Sequence, residues 1–326
     1  QGASYYGTAS PAKVFSFYAQ AERRTLRVGR TAQKSETFRK SLTLSEAYGE
    51  GRPASAIPVR SLCGCGCREA YMSVFGDYSH YYNLLYSDKD YAGETRFIAE
   101  VMAGHGLRPR SLLDLGCGTG KHALCFADAG IRVVGVDRSE NMLRMGREYL
   151  EGAPDLSGRV ELRRGDACDV RLGRVFDAAT SLFHVMSYQT SDETAHALLV
   201  TAREHLEPGG LFFFDFWHSA GVLSDPPVER LKIMEDESVR VERKAVPRLR
   251  VPDNIVEVHY TIRLHNKLSG QSSDLEELHV MRYRSVPELR GQARSAGFLP
   301  LDCGAWMELS PPRRETWYAW MVLRRE

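Results

Sequence analysis

The chain has 326 residues, a formal net charge of +1, 43% hydrophobic and 26% charged residues, the proportions of an ordinary water-soluble chain of one large domain or two. Its charge balance offers no basic face for nucleic acid, and no apolar stretch approaches the roughly 18 residues of a membrane span. Seven cysteines, an odd number without framework spacing, point to the reducing cytoplasm.

Residues 1–71 hold eleven Lys or Arg and five Glu with no Asp, and no period of 2 or 3.6. The segment reads as a poorly structured tail, or as sequence upstream of a start at Met72. A targeting peptide and a small partner-binding module fit it less well. Within it, Cys63, Cys65 and Cys67 alternate with glycine. Structural zinc usually shows C-x₂₋₄-C spacing with a distant second pair, so no metal is expected.

From Asp88 the pattern alternates. A helix is predicted over 88–107, with Ile98, Val101, Met102 and His105 on one face. An apolar strand then ends at Leu112-Leu113-Asp114-Leu115, followed by Gly116-Cys117-Gly118-Thr119-Gly120 and a helix to Ala129. A second strand, Ile131 to Val136, ends in Asp137. Ser139 caps a third helix running to about Leu150. A strand over Val160–Arg164 leads into Gly165-Asp166-Ala167, and one over Phe176–Leu182 leads into Phe183-His184-Val185-Met186-Ser187-Tyr188. Thr190 and Glu193 form a capping-box pattern before a helix that Pro208-Gly209-Gly210 stops. The fifth strand is Leu211–Phe216. This order implies a doubly wound α/β fold, a parallel sheet with ligands at the carboxyl ends of its strands.

Beyond Trp217 the period changes to 2. Segments 239–246, 255–265 and 276–283 read as a small antiparallel sheet inserted before a helix over 286–296. Segments 299–307 and 316–323 then close the main sheet as an antiparallel pair. On the middle inserted strand Glu257, His259, Thr261 and Arg263 share a polar side, taken as the face of an acceptor pocket.

The three alternating glycines remove the Cβ atoms that would keep a ligand off the strand end. Asp137, seventeen residues past Gly120, suits both hydroxyls of a ribose. Met142, one turn later, and Asp166, which could bind an exocyclic adenine amine, extend the site toward the base. The third glycine comes one residue too early for the dinucleotide fingerprint, which speaks against a nicotinamide-dependent oxidoreductase. A non-catalytic binder of the same nucleoside would carry the same motifs.

This series resembles the class I S-adenosylmethionine (SAM) methyltransferases from about Tyr78 to the C-terminus. Tyr82-Asn83-Leu84-Leu85-Tyr86, Lys89-Asp90-Tyr91, the glycine loop, Gly135 to Leu143, Arg171 to Arg174, His205 to Gly210 and Glu257 to Tyr260 are similar to the N,N-dimethyltransferases of dTDP-3-amino-sugars. The resemblance implies a Rossmann-like sheet, SAM as cofactor and a small-molecule acceptor. It puts Tyr82 over the donor methyl. Asp114, Gly116, Cys117, Gly118, Gly120, Asp137, Arg138, Met142, Asp166, Ala167, Leu182 and Phe183 complete the expected cofactor contacts. Two departures stand out. Asp215-Phe216-Trp217 replaces that family's Glu-Pro-Trp, and Glu315-Thr316-Trp317-Tyr318 replaces its Gly-Arg-Gly.

The expected division is an extension over 1–71, a SAM-binding domain over 72–221 and 286–326, and an inserted acceptor cap over 222–285. A homodimer remains open. Methylation of a neutral amine needs mainly alignment, whereas a hydroxyl must lose its proton to a base. His184 is the first candidate for that base, and His259 and His279 come second. Tyr86, Tyr188 and Trp217 join those two histidines as expected acceptor contacts.

Overall fold

The structure, a computed structural model, describes Tyr82 and residues 84–326. The readings placed on the N-terminal extension, Met72 and the three alternating cysteines lie outside the described residues.

Seven strands form the main sheet: β1 (Ser111–Leu115), β2 (Arg132–Asp137), β3 (Val160–Arg164), β4 (Phe176–Ser181), β5 (Leu206–Trp217), β10 (Phe298–Ala305) and β11 (Tyr318–Arg325). Their spatial order is β10-β11-β5-β4-β1-β2-β3. β11 runs antiparallel to both neighbours, β5 and β10, while β1 through β5 pair in parallel. The central strands β1, β2, β4 and β5 are largely buried because both faces of the sheet are covered there, whereas the edge strand β3 is partly exposed. In β5, Phe212, Phe214 and Phe216 pack toward α5 (Asp192–Glu204) and α7 (Val286–Ser295). Leu211 and Phe213 pack on the opposite side with α1 (Tyr91–Gly104) and α2 (Lys121–Asp128). Period-2 alternation therefore divides one strand between two cores.

Local chemistry sets the boundaries. The first helix is shorter than 88–107 because Asp90 caps it, its carboxylate accepting the Gly93 N–H at 2.8 Å. Ser139 caps α3 (Glu140–Glu151) as the sequence indicates. The cap of α5 is Ser191 with Thr194 rather than Thr190 with Glu193. Short helices α4 (Val185–Tyr188) and α6 (Ser219–Ser224) follow β4 and β5.

The inserted antiparallel sheet holds four strands in the order β6 (Arg230–Glu235), β7 (Val239–Arg250), β8 (Ile255–Asn266), β9 (Ser272–Arg282). β6 escaped sequence reading because it is an edge strand whose apolar Leu231 and Ile233 face outward. The insertion leaves and rejoins the main sheet at one point, where His218 and Arg284 form a parallel bridge. The Arg284 side chain is fully buried there. Its guanidinium pairs with Asp192 (3.1 Å) and Glu288 (2.7 Å) and donates to the Gln189 and Ser191 carbonyls at 2.8 and 2.9 Å.

Arg284→Met strands those acceptors and is expected to lower stability by about 3 kcal/mol. Urea unfolding with an unchanged midpoint would refute this role.

Candidate active site

The glycine loop is pinned to β2 by backbone hydrogen bonds. Gly116 and Cys117 donate to the Val136 carbonyl at 2.8 and 3.0 Å. The Asp137 carboxylate accepts the Gly118 N–H and the Ser139 N–H, both at 2.8 Å. Each of its oxygens keeps a lone pair for another donor. The two glycines serve different ends. Gly116 has φ +81°, and a Cβ there would come 2.6 Å from a Val185 methyl; Gly118, at φ +57°, has nothing within 4 Å of that position. Cys117 is buried in the turn, and Gly120 caps α2 from the left-handed region.

Beneath the loop lies Asp114. One oxygen accepts the Thr180 hydroxyl at 2.8 Å, and the other is buried without a partner among the described residues. Burial pushes this carboxyl up to about 6, against the lowering effects of His122 and Thr180. Beside it His122 Nε2 contacts Glu94 at 2.7 Å, and Lys89 pairs with the same glutamate. Burial opposes the charge on Glu94, but His122 and Lys89 outweigh it and hold the group near 2. The Tyr91 ring packs on His122 at 4.8 Å, with the Lys121 ammonium 5.4 Å from its centre. Tyr82, Tyr91, Gly118, Lys121, Leu182 and Phe183 line the resulting narrow cleft, whose free volume is about 40 Å³.

Four other expected cofactor residues do not line this cleft. Met142 lies half-buried in the first turn of α3, and Arg138 is exposed just before that helix. Asp166 is exposed at the end of β3, where its carboxylate accepts the Cys168 N–H at 2.9 Å, and Ala167 packs against the core. The sequence reading missed Glu94, Lys121 and His122. The last two directly follow the glycine loop, which was the available signal.

At the end of β4, Phe183 and His184 both adopt left-handed backbone, φ 63° and 66°. Two such non-glycine residues in succession mark a strained turn. Asp215, 1% exposed, holds it: both carboxylate oxygens accept the His184 backbone N–H at 3.0 and 3.1 Å. His184 Nδ1 also lies 2.6 Å from Asp215 Oδ2, off the axis of a straight hydrogen bond. Tyr318 stacks on the imidazole at 4.8 Å and 17°. The segment that departs from the resembled family thus reaches this histidine. The Trp217 ring is 6.1 Å away, and its buried Nε1–H has no hydrogen-bond partner among the described residues.

The inner face of the inserted sheet is apolar at both ends and polar between. At one end Leu85 packs with Val241, Ile262 and Leu264; at the other Val222 packs with Val256, Val258 and Tyr283. Between them stand Arg243, Tyr260, Glu277 and His279, which the register places on one side. Arg243 lies over the rings of Tyr86 (5.8 Å) and Tyr260 (5.0 Å), donates to the Tyr86 hydroxyl at 3.2 Å, and pairs with no carboxylate among the described residues. Tyr86 in turn meets Tyr82 at 4.8 Å and Phe183 at 5.3 Å, which joins this band to the cleft. Tyr188 reaches the band from α4 through a 2.6 Å hydrogen bond to His279 Nδ1. His259 corrects the expectation: it is exposed on the outer face, opposite Leu278 and Val246, so the uniformly polar side of β8 faces away from the site. The mixed side is the one that anchors the sheet, through Leu85 and Val222.

The sheet order, the glycine cradle and the orphaned Asp114 oxygen fit a ribonucleoside with a cationic substituent, and the fold is that of the class I SAM-dependent methyltransferases. Residues 112–210 match the family described as a methyltransferase domain. The chain resembles the dTDP-3-amino-3,4,6-trideoxy-alpha-D-glucopyranose N,N-dimethyltransferase of Streptomyces venezuelae, with 37% identity over 143 residues, 43% of this chain and 57% of that protein. It also resembles the dTDP-3-amino-3,6-dideoxy-alpha-D-glucopyranose N,N-dimethyltransferase of Streptomyces fradiae, with 31% identity over 144 residues, 44% and 54% of the two chains. The chain thus spans a little over half the length of these curated relatives. In fold it matches DesVI of Streptomyces venezuelae, with TM-score 0.62 and 24% identity over 76% of this chain and 97% of that one. No helix among the described residues is long and apolar enough to cross a membrane.

Gly118→Ala is expected to weaken SAM binding at least tenfold while costing about 1–2 kcal/mol of stability for its left-handed backbone. Gly116→Ala should destabilise more, through its contact with Val185. Calorimetry beside thermal melts separates the two, and equal melting losses would contradict the assignment.

Asp114 gives a pH signature. Its folded value exceeds the ordinary 3.8, so the folded state binds the extra proton and stability declines as pH rises from about 4 to 6. A cationic ligand prefers the ionised carboxylate. SAM affinity should therefore rise about tenfold between pH 5 and 7.5, and Asp114→Asn should flatten that rise. An unchanged slope in Asp114→Asn would assign the dependence elsewhere.

Proposed function

We propose that this protein transfers the methyl group of SAM to the amine of an amino-sugar or similar small metabolite, with residues 72–221 and 286–326 binding SAM and 222–285 forming the acceptor cap. The observation that carries the reading is the continuity from the glycine cleft, through Tyr82, Phe183 and Tyr86, to the polar band of Arg243, Tyr260 and His279.

When bound, SAM supplies a methyl group on a positively charged sulfur. Asp137 accepts from the ribose hydroxyls, and Asp114 answers the positive charge at the floor of the cleft. Tyr82 offers an aromatic face to the cation, an attraction of about 0.5–2 kcal/mol. Met142, Asp166, Ala167 and Arg138 border the base. On the acceptor side Trp217 presents an N–H and Arg243 a cation that have, respectively, no hydrogen-bond partner and no carboxylate among the described residues, which supports an acceptor with an anionic carrier such as a nucleotide. For an amine, the enzyme's main contribution is alignment, about 7–11 kcal/mol at best.

One observation favours a second reading. The Asp215 contact to His184 Nδ1 leaves Nε2 available, an arrangement suited to removing a proton from a hydroxyl.

A panel of amino- and hydroxy-sugars, free and nucleotide-linked, with labelled SAM separates the readings. With an amine acceptor, His184→Ala should reduce the rate modestly and the rate should climb with pH. A loss of about 10²–10⁴-fold with the rising limb abolished would move the enzyme to O-methylation. Turnover of none of the amines would sink the amino-sugar reading.

A further inference from the structure

Tyr188, His279 and Glu277 form a continuous hydrogen-bonded chain that neither the cofactor site nor His184 employs. The Tyr188 hydroxyl is 2.6 Å from His279 Nδ1, and His279 Nε2 is 3.0 Å from Glu277 Oε2. The two partners together define the tautomer. A carboxylate only accepts, so Nε2 carries the proton and Nδ1 is left to accept from the phenol. The order is that of a hydroxyl, an imidazole and an orienting carboxylate, and it ends at Tyr188, whose side chain is partly exposed while its hydroxyl is largely buried.

We propose that Tyr188 is a catalytic residue that takes the proton from an acceptor ammonium and passes its own to His279, with His279 and Glu277 acting as positioning residues. The proposal rests on the amine reading above. An amine bound as its ammonium has no lone pair with which to attack. In the relay the N–H bond breaks toward the Tyr188 oxygen as the Tyr188 O–H proton moves to Nδ1. The nitrogen is left neutral, the phenol is restored, and the charge rests on an imidazolium facing Glu277. The nitrogen lone pair so freed forms the new bond to carbon.

The surroundings suit a neutral phenol. Burial, with Tyr86, Tyr260 and Glu277 nearby, pushes Tyr188 above its ordinary range against the lowering effect of Arg138. From β8 the Tyr260 ring stands edge-on to His279 at 4.9 Å, and from β7 Arg243 lies over that ring. The ring so covered keeps His279 directed at Tyr188.

Two measurements test the relay. Nitrogen NMR of the full chain with ¹⁵N-labelled histidine reads the tautomer without any acceptor. His279 should carry its proton on Nε2, and Glu277→Gln should weaken that preference; a proton fixed on Nδ1 overturns the proposal whatever the acceptor is. With a nucleotide-linked 3-amino-sugar at saturation, Tyr188→Phe should lower kcat about 10²-fold at pH 7 with KM within about twofold. The deficit should shrink to a few-fold at pH 9.5, where the free amine needs no relay, and His279→Gln should follow the same course. A loss that is equal at both pH values, or confined to KM, shows a structural role and also overturns it. If no amine in the panel is methylated, the amino-sugar reading fails and the tautomer still decides whether the chain has the stated polarity.

Discussion

The Asp137 carboxylate is the constraint around which the cofactor end of this protein is organised. It accepts N–H groups from two different loops, at Gly118 and Ser139, so the end of β2 holds the turn after β1 and the start of α3 in one grip. With Gly116 and Cys117 both donating to the Val136 carbonyl, the glycine loop is fixed by its own chain before any ligand arrives. A preformed loop avoids the entropy of ordering on binding. The Asp114 oxygen beneath it, which has no partner among the described residues, is then a cost already met in the folded protein, which a cation would relieve.

A second carboxylate does comparable work at the next strand end. Asp215, buried near the end of β5, keeps Phe183 and His184 in left-handed backbone. That conformation turns the chain so that Phe183 lines the cleft while His184 meets Tyr318. The neighbouring α4 carries Tyr188 to the inserted sheet. Two acidic side chains thus set the paths of the loops after three strands.

Much of this was legible in the sequence because it follows from local pattern. The glycine spacing, the carboxylate at the end of β2 and the apolar runs of β1, β4 and β5 each announce themselves within a few residues. The switch to period 2 after Trp217 located the inserted sheet. What stayed hidden depends on contacts distant in sequence. Glu94 and His122 are 28 positions apart, and Tyr188 and His279 are 91. His259 misled because a uniformly polar strand face resembles a binding surface, whereas that face meets solvent. The inner side alternates apolar anchors with a few polar groups, and no periodicity distinguishes it from ordinary core.

The bridge between His218 and Arg284 has a consequence for how the two sheets are joined. The Ser219 N–H donates to the Arg284 carbonyl at 3.0 Å and the Arg284 N–H to the Trp217 carbonyl at 2.9 Å, so the chain enters and leaves the inserted sheet through a single clasp. The buried guanidinium locks that clasp to α5 and α7 from below. The chain therefore departs from the seven-stranded sheet and returns to it at one place, beside the end of β5. If the inserted sheet is the acceptor cap proposed above, that clasp is where the acceptor half joins the cofactor half.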